Sequence, residues 1–104
     1  MEYIKQNDYQ LAIGTHNVSN VQLIPSQLIK TFGNPMSSDG FKVSGEYVFK
    51  SATSDEVFTL YDESAEYTPN ELWKLDKPIW FNIGAKGYSG DFETWIKKEI
   101  NKSA

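Results

Sequence analysis

A five-residue run at positions 57–61 (VFTLY) constrains the fold more than any other part of the chain. Side chains alternate along a strand, so Phe58 and Leu60 share one face and the other three residues share the opposite face. Large side chains on both faces predict a strand that is central in its sheet or covered on both sides. A strand-rich run at 42–50 precedes it across a short polar turn, which predicts an antiparallel hairpin over about 42–62.

Two further runs have strand character. Residues 79–84 place Ile79, Phe81 and Ile83 on one face, and Trp80 and Asn82 on the other. Residues 9–13 alternate partly between apolar and polar, which predicts an N-terminal strand there. The segment 14–17 that follows contains glycine and asparagine and predicts a turn.

Three segments have helical patterns. Pro25 suits the first position of a helix over 25–32, and Gly33 suits its end. Thr68 and Glu71 have the spacing of a capping box, which predicts a helix over 69–75. Residues 91–101 form an amphipathic pattern typical of a third helix. Together these elements predict one α+β domain, residues 1–104, with an antiparallel sheet of three to four strands.

Composition excludes several classes of protein. The 104 residues include no cysteine, which rules out disulfides and thiolate metal sites. Ten basic and fourteen acidic side chains leave a formal charge of −4, which argues against a broad nucleic-acid footprint. The N-terminus lacks a signal-peptide pattern, and no apolar run approaches the ~20 residues of a membrane span. We therefore expect a cytoplasmic protein without membrane association.

Four short runs and the closing helix form a recognisable pattern: FGNP at 32–35, DGFKVSGEY at 39–47, VFTLYD at 57–62 and IGA at 83–85. This pattern resembles a group of small phage and prophage proteins to which no activity is assigned. The chain departs from the group at Glu63 and Ser64, where Trp-Lys is expected, and at Ala85, which replaces a second glycine. The resemblance implies a small α+β domain of phage-related origin.

Phage accessory proteins of this size often act on host proteins. By that analogy we expect a non-enzymatic protein that binds and inhibits a host protein or defence complex, such as a CRISPR nuclease.

Aromatic residues make up 14% of the chain, more than a small core can cover completely. Exposed Trp and Tyr anchor protein interfaces. The predicted partner-binding patch consists of Tyr61, Asp62, Glu63, Glu66, Tyr67, Trp73 and Trp80. Exposed edge strands also leave a homodimer open.

Two alternatives belong to other functional classes. The glycine-rich segment 84–90 links a strand to a helix, and free backbone N–H groups there favour nucleotide or phosphate binding. The candidate ligand-binding residues are Lys86, Gly87, Ser89 and Gly90, although Asp91 would repel an anion. A small enzyme would use His16 with Asp62, Glu63 and Glu66. No residue spacing matches a known catalytic or metal motif, and we expect no cofactor. The adjacent acidic residues Asp55 and Glu56 lie in the predicted hairpin turn, where charged side chains are common.

Overall fold

The computed structural model describes residues 2–36, 45–62 and 66–103. Residues 42–44 of the predicted hairpin and the predicted patch residue Glu63 lie outside these ranges. In chain order the elements are β1 (Tyr3–Gln6), a 3₁₀-helix (Tyr9–Ala12), β2 (His16–Leu23), α1 (Pro25–Phe32), β3 (Glu46–Ser51), β4 (Val57–Tyr61), α2 (Pro69–Leu72), β5 (Ile79–Ala85) and α3 (Gly90–Ser103).

The five strands form one antiparallel sheet in the order β1-β3-β4-β5-β2. The α+β class is confirmed, and the sheet is larger than the three to four strands predicted. β4 is the middle strand, and Phe58, Thr59 and Leu60 are all buried. This confirms the prediction from the 57–61 run, because only a strand covered on both faces buries three successive side chains.

The predicted strand at 9–13 is wrong. Residues 9–12 form a 3₁₀-helix, capped by the Asp8 side chain, which accepts a hydrogen bond from the backbone N–H of Gln10. The actual N-terminal strands, β1 and β2, flank this helix, and β2 includes His16 and Asn17 from the predicted turn. β2 is an edge strand with polar side chains on its exposed face, so its sequence resembles a turn.

The predicted helices are confirmed. α1 spans Pro25–Phe32, and Gly33 ends it with a positive φ of 78°. Thr68 caps α2 by accepting a hydrogen bond from the Glu71 N–H at 3.3 Å, and α2 ends at Leu72, three residues earlier than predicted. α3 covers the predicted 91–101 and extends to Ser103.

The helices cover one face of the sheet, where the apolar core lies. α1 and α3 pack against each other. Rings from the sheet and the helices interlock beneath them; Phe92 of α3 stacks on Phe58 of β4 with centroids 4.9 Å apart. The buried hydrophobic cluster includes Tyr3, Val21, Leu23, Leu28, Tyr47, Phe49, Phe58, Leu60, Phe81, Ile83, Ala85, Phe92, Trp95, Ile96 and Ile100.

Residues 7–15, which we call the crossing segment, pass over the opposite face of the sheet. They connect β1 at one edge to β2 at the other, and their 3₁₀-helix packs against β3 and β4. Val48 and Thr59 point to this face, yet both are buried, because the crossing segment covers them. It therefore divides this face into two halves, one towards the end of β4 and one towards its start.

Candidate functional site

The uncovered half of the sheet towards the end of β4 carries an exposed tryptophan. The neighbours of Trp80 in β5, Ile79 and Phe81, point towards the core. Trp80 therefore points away from the helices, and 63% of its surface is exposed. Its partner in the register is Gln22 of β2. A large aromatic side chain left in water retains an apolar surface that a partner could bury.

Among the described residues, polar uncharged side chains lie beside Trp80 on β2 and β5. One row across the sheet runs from Asn20 of β2 through Asn82 of β5 to Tyr61 of β4. Side chains on directly opposed residues lie about 5 Å apart and on the same face. We call Trp80, Asn82, Asn20, Gln22 and Tyr61 the open-face patch. Each amide in this patch can both donate and accept hydrogen bonds, so the patch offers an aromatic surface with neutral hydrogen-bonding groups around it.

Glu46 continues this row beyond Tyr61, its partner in the register. Burial raises the pKa of the Glu46 carboxyl above its ordinary value, because the charged form loses hydration. A raised folded-state pKa contributes stability below the unfolded-state pKa, and this contribution is lost as pH rises through the folded-state value.

We therefore expect Glu46→Gln to raise the free energy of unfolding at neutral pH. The gain should vanish at acid pH, where the carboxyl is protonated in both states. Urea denaturation at the two pH values measures the difference, with the exposed Glu2 replaced by Gln as the control. A loss of stability in Glu46→Gln at neutral pH would contradict the assigned effect of burial.

The residues predicted to form the partner-binding patch do not all lie together on the surface. Tyr61 and Trp80 belong to the open-face patch, whereas Asp62 is fully buried. The Trp73 ring is partly buried and packs against the rings of Tyr47 and Phe81, each with centroids 5.8 Å away.

The remaining predicted partner residues lie beyond the end of β4. Glu66 is exposed, and Tyr67 is partly buried. The Lys77 ammonium lies 5.5 Å from the centroid of the Tyr67 ring, which places a cation against this ring. Glu63 lies outside the described residues.

The glycine-rich segment does not form a single anion cradle. Lys86 and Gly87 line a cleft, whereas the buried Ser89 hydroxyl lies 2.8 Å from that of Ser19. Gly90 begins α3, and the Tyr88 hydroxyl lies against it where a Cβ would be. The first turn of α3 carries two carboxylates, which oppose an anion at the helix start.

His16 and the candidate catalytic carboxylates do not converge. His16 is exposed and pairs with Ala85 at the end of β5, whereas Asp62 follows Tyr61, whose partner is Asn82. Three strand residues separate these rows by about 10 Å. Among residues 2–36, 45–62 and 66–103 no group of three or more histidine or acidic side chains could hold a metal ion.

The three amides of the open-face patch were missed from the sequence. Asn20 and Gln22 alternate with the apolar Val21 and Leu23, a period-two pattern that indicates a strand with one polar face. Asn82 was assigned to the face of Trp80 but not to a site. Their assembly depends on the register of β2 against β5, which no local pattern specifies.

The chain matches no protein-family model and no curated protein sequence. The resemblance to phage proteins therefore stays a prediction. In the part of the chain that the structure describes, no helix has the length and apolar character needed to cross a membrane.

Proposed function

We propose that the protein acts by binding another protein through the open-face patch. The observation that carries this proposal is the 63% exposure of Trp80 on the sheet face opposite the helices, beside the uncharged side chains of Gln22, Asn82 and Asn20. The centres of protein interfaces are depleted in charge and enriched in Trp and Tyr, and a few such residues supply most of the binding energy. The open-face patch has this composition.

The chemistry of the patch specifies the kind of surface that fits it. The indole of Trp80 requires an apolar recess, and the amides of Asn20, Gln22 and Asn82 require backbone or side-chain hydrogen-bonding groups around it. None of the five patch residues is charged. Binding should therefore depend only weakly on salt, unlike an association steered by opposite charges.

The resemblance to phage proteins supports a host protein or defence complex, such as a CRISPR nuclease, as the partner. In this proposal the protein inhibits its target by occupying a surface that the target needs. The formal charge of −4 gives weak repulsion from nucleic acid, which favours a protein surface as the point of contact.

Trp80→Ala should weaken the complex about 30-fold, because truncating a central interface tryptophan typically removes about 2 kcal/mol of binding free energy. Tagged wild-type and variant proteins would be incubated with bacterial host lysate, and a stoichiometric partner identified by mass spectrometry. Titration calorimetry with the purified partner then measures the dissociation constants at low and high salt. The free energy of unfolding of Trp80→Ala should stay within about 0.5 kcal/mol of wild type, as for other exposed substitutions.

The matched control is Ile4→Ala, which removes another exposed hydrophobic side chain, 56% accessible, from the edge strand β1. Wild-type affinity in Ile4→Ala together with the loss in Trp80→Ala supports the proposal. Equal affinity of Trp80→Ala and wild type for the partner would place the interface elsewhere, as would a strong decrease of affinity with salt. The absence of any stoichiometric protein partner would contradict the proposed function itself.

A further inference from the structure

A cleft of about 510 Å³ opens on the other half of the same sheet face, beyond the crossing segment. It lies where β4 begins and β5 ends, and it is bounded by the crossing segment, the β3–β4 turn and the residues that follow β5. Apolar side chains form much of its lining: Leu11, Ile13, Val57 and Tyr88. Its volume is within the range of clefts that bind small molecules.

Two of the most exposed hydrophobic side chains of the described residues lie on this cleft. Ile13 is 73% exposed and Tyr88 is 77% exposed, both more than Trp80. They come from different segments, the crossing segment and the β5–α3 connection, and both contribute to the lining of the same cleft. A flat apolar ligand between them would remove this surface from water.

Two glycines leave room for polar side chains of the cleft. A Cβ at Gly14 would lie 3.1 Å from Cε of Lys86, so the lysine stem lies alongside this turn, whose φ of 89° also favours glycine. A Cβ at Gly90 would overlap the Tyr88 hydroxyl. Close packing against these glycines therefore positions both Lys86 and Tyr88.

The charges on the cleft have both signs. Lys86 is exposed and forms no ion pair with another described residue. Asp55 and Glu56 also line the cleft; the Asp55 carboxylate lies 3.8 Å from the Lys50 ammonium, and the Glu56 carboxylate accepts a hydrogen bond from the Ser54 hydroxyl at 3.2 Å. A lining that includes one lysine and two acidic residues favours a ligand that carries an amino group as well as an acidic group, and it disfavours a ligand with several negative charges.

We propose that this cleft binds a small molecule that combines a flat ring, an amino group and one acidic group. The ring contacts Ile13 and Tyr88, the acidic group pairs with Lys86, and the amino group donates hydrogen bonds to Asp55 or Glu56. Aromatic amino acids share this chemistry, and so do nucleoside monophosphates whose base carries an amino group, such as AMP. The proposal is independent of the protein-binding function, because the cleft shares no residue with the open-face patch.

The test is a titration of the ¹⁵N-labelled full chain, followed by NMR, with L-tryptophan, AMP and ATP as separate probes. We expect saturable shifts at Ile13, Lys86 and Tyr88 with L-tryptophan, with AMP or with both, which distinguishes the two sources. ATP should bind more weakly than AMP, because its additional phosphates face Asp55 and Glu56. No saturable shift with either L-tryptophan or AMP at millimolar concentration, or tighter binding of ATP than of AMP, would overturn the proposal.

Lys86→Ala should raise the dissociation constant of the probe that binds about tenfold, the loss expected for one charge-assisted contact. Lys30→Ala, which removes an exposed lysine at the end of α1, is the control with unchanged affinity. Both lysines are exposed, so the variants should fold, and their NMR spectra verify this directly. Unchanged affinity in Lys86→Ala would show that the acidic group is not bound as proposed.

Discussion

Replacing Trp95 by alanine should lower the free energy of unfolding by about 3–5 kcal/mol, the usual cost of truncating a large buried aromatic residue. Trp95 is 9% exposed and joins the closing helix to the sheet. Its ring lies 5.2 Å from Tyr3 of β1 and 5.6 Å from Phe49 of β3, measured between centroids. The variant would leave a cavity between α3 and two strands. Urea denaturation followed by circular dichroism measures the loss.

The control is Lys98→Ala, on the same helix and exposed to solvent. Its free energy of unfolding should change by no more than about 0.5 kcal/mol. Domains of this size typically have a free energy of unfolding of about 5–15 kcal/mol. The expected loss therefore either leaves a free energy of unfolding that can still be measured or unfolds the Trp95→Ala variant completely. A loss below roughly 1 kcal/mol would show that α3 does not pack on the sheet as described.

Replacing Gly84 by alanine should lower the free energy of unfolding by about 1–3 kcal/mol, the range found for overpacking in a close-packed interior. Gly84 of β5 pairs with Thr59 of β4, and an added Cβ would overlap the Thr59 hydroxyl oxygen. Thr59 is buried, and its branched side chain rotates only at a cost. The crossing segment covers this pair, so neither strand can shift freely.

A double-mutant cycle tests this cause. Thr59→Ala removes the hydroxyl that an alanine at position 84 would meet, so Gly84→Ala should cost clearly less in the Thr59→Ala background. Residues in contact typically show coupling energies of about 0.5–3 kcal/mol. The same cost in both backgrounds would contradict the overlap and assign the loss to another cause, such as a changed strand twist.

Local patterns were sufficient to predict much of the fold. The buried strand at 57–61 is the middle strand, and Pro25 and Gly33 lie at the predicted ends of α1. These features depend on interactions within a few residues: alternation along a strand, a proline that suits a first turn, and a glycine that takes a positive φ. The predicted strand at 9–13 was wrong because a short apolar alternation also occurs in a 3₁₀-helix.

The candidate site was only partly predictable, because local patterns do not show which side chains remain at the surface. Residue type predicts Trp80 and Trp73 equally as interface residues, yet Trp80 is exposed and Trp73 is partly buried. Asp62 of the same predicted patch lies fully inside the protein. The amides of β2 became part of the patch only through strand pairing with β5.

By itself the sequence determined the α+β class, the central strand and both ends of α1, because each depends on neighbouring residues. Only the tertiary structure decided which surfaces remain exposed. Val48 and Thr59 are buried because residues far along the chain cross over them. Lys5 of β1 donates hydrogen bonds to the carbonyls of Phe32 and Asn34 at the end of α1, 27 and 29 residues away. Burial and such contacts depend on which distant segments meet, and no local pattern contains that information.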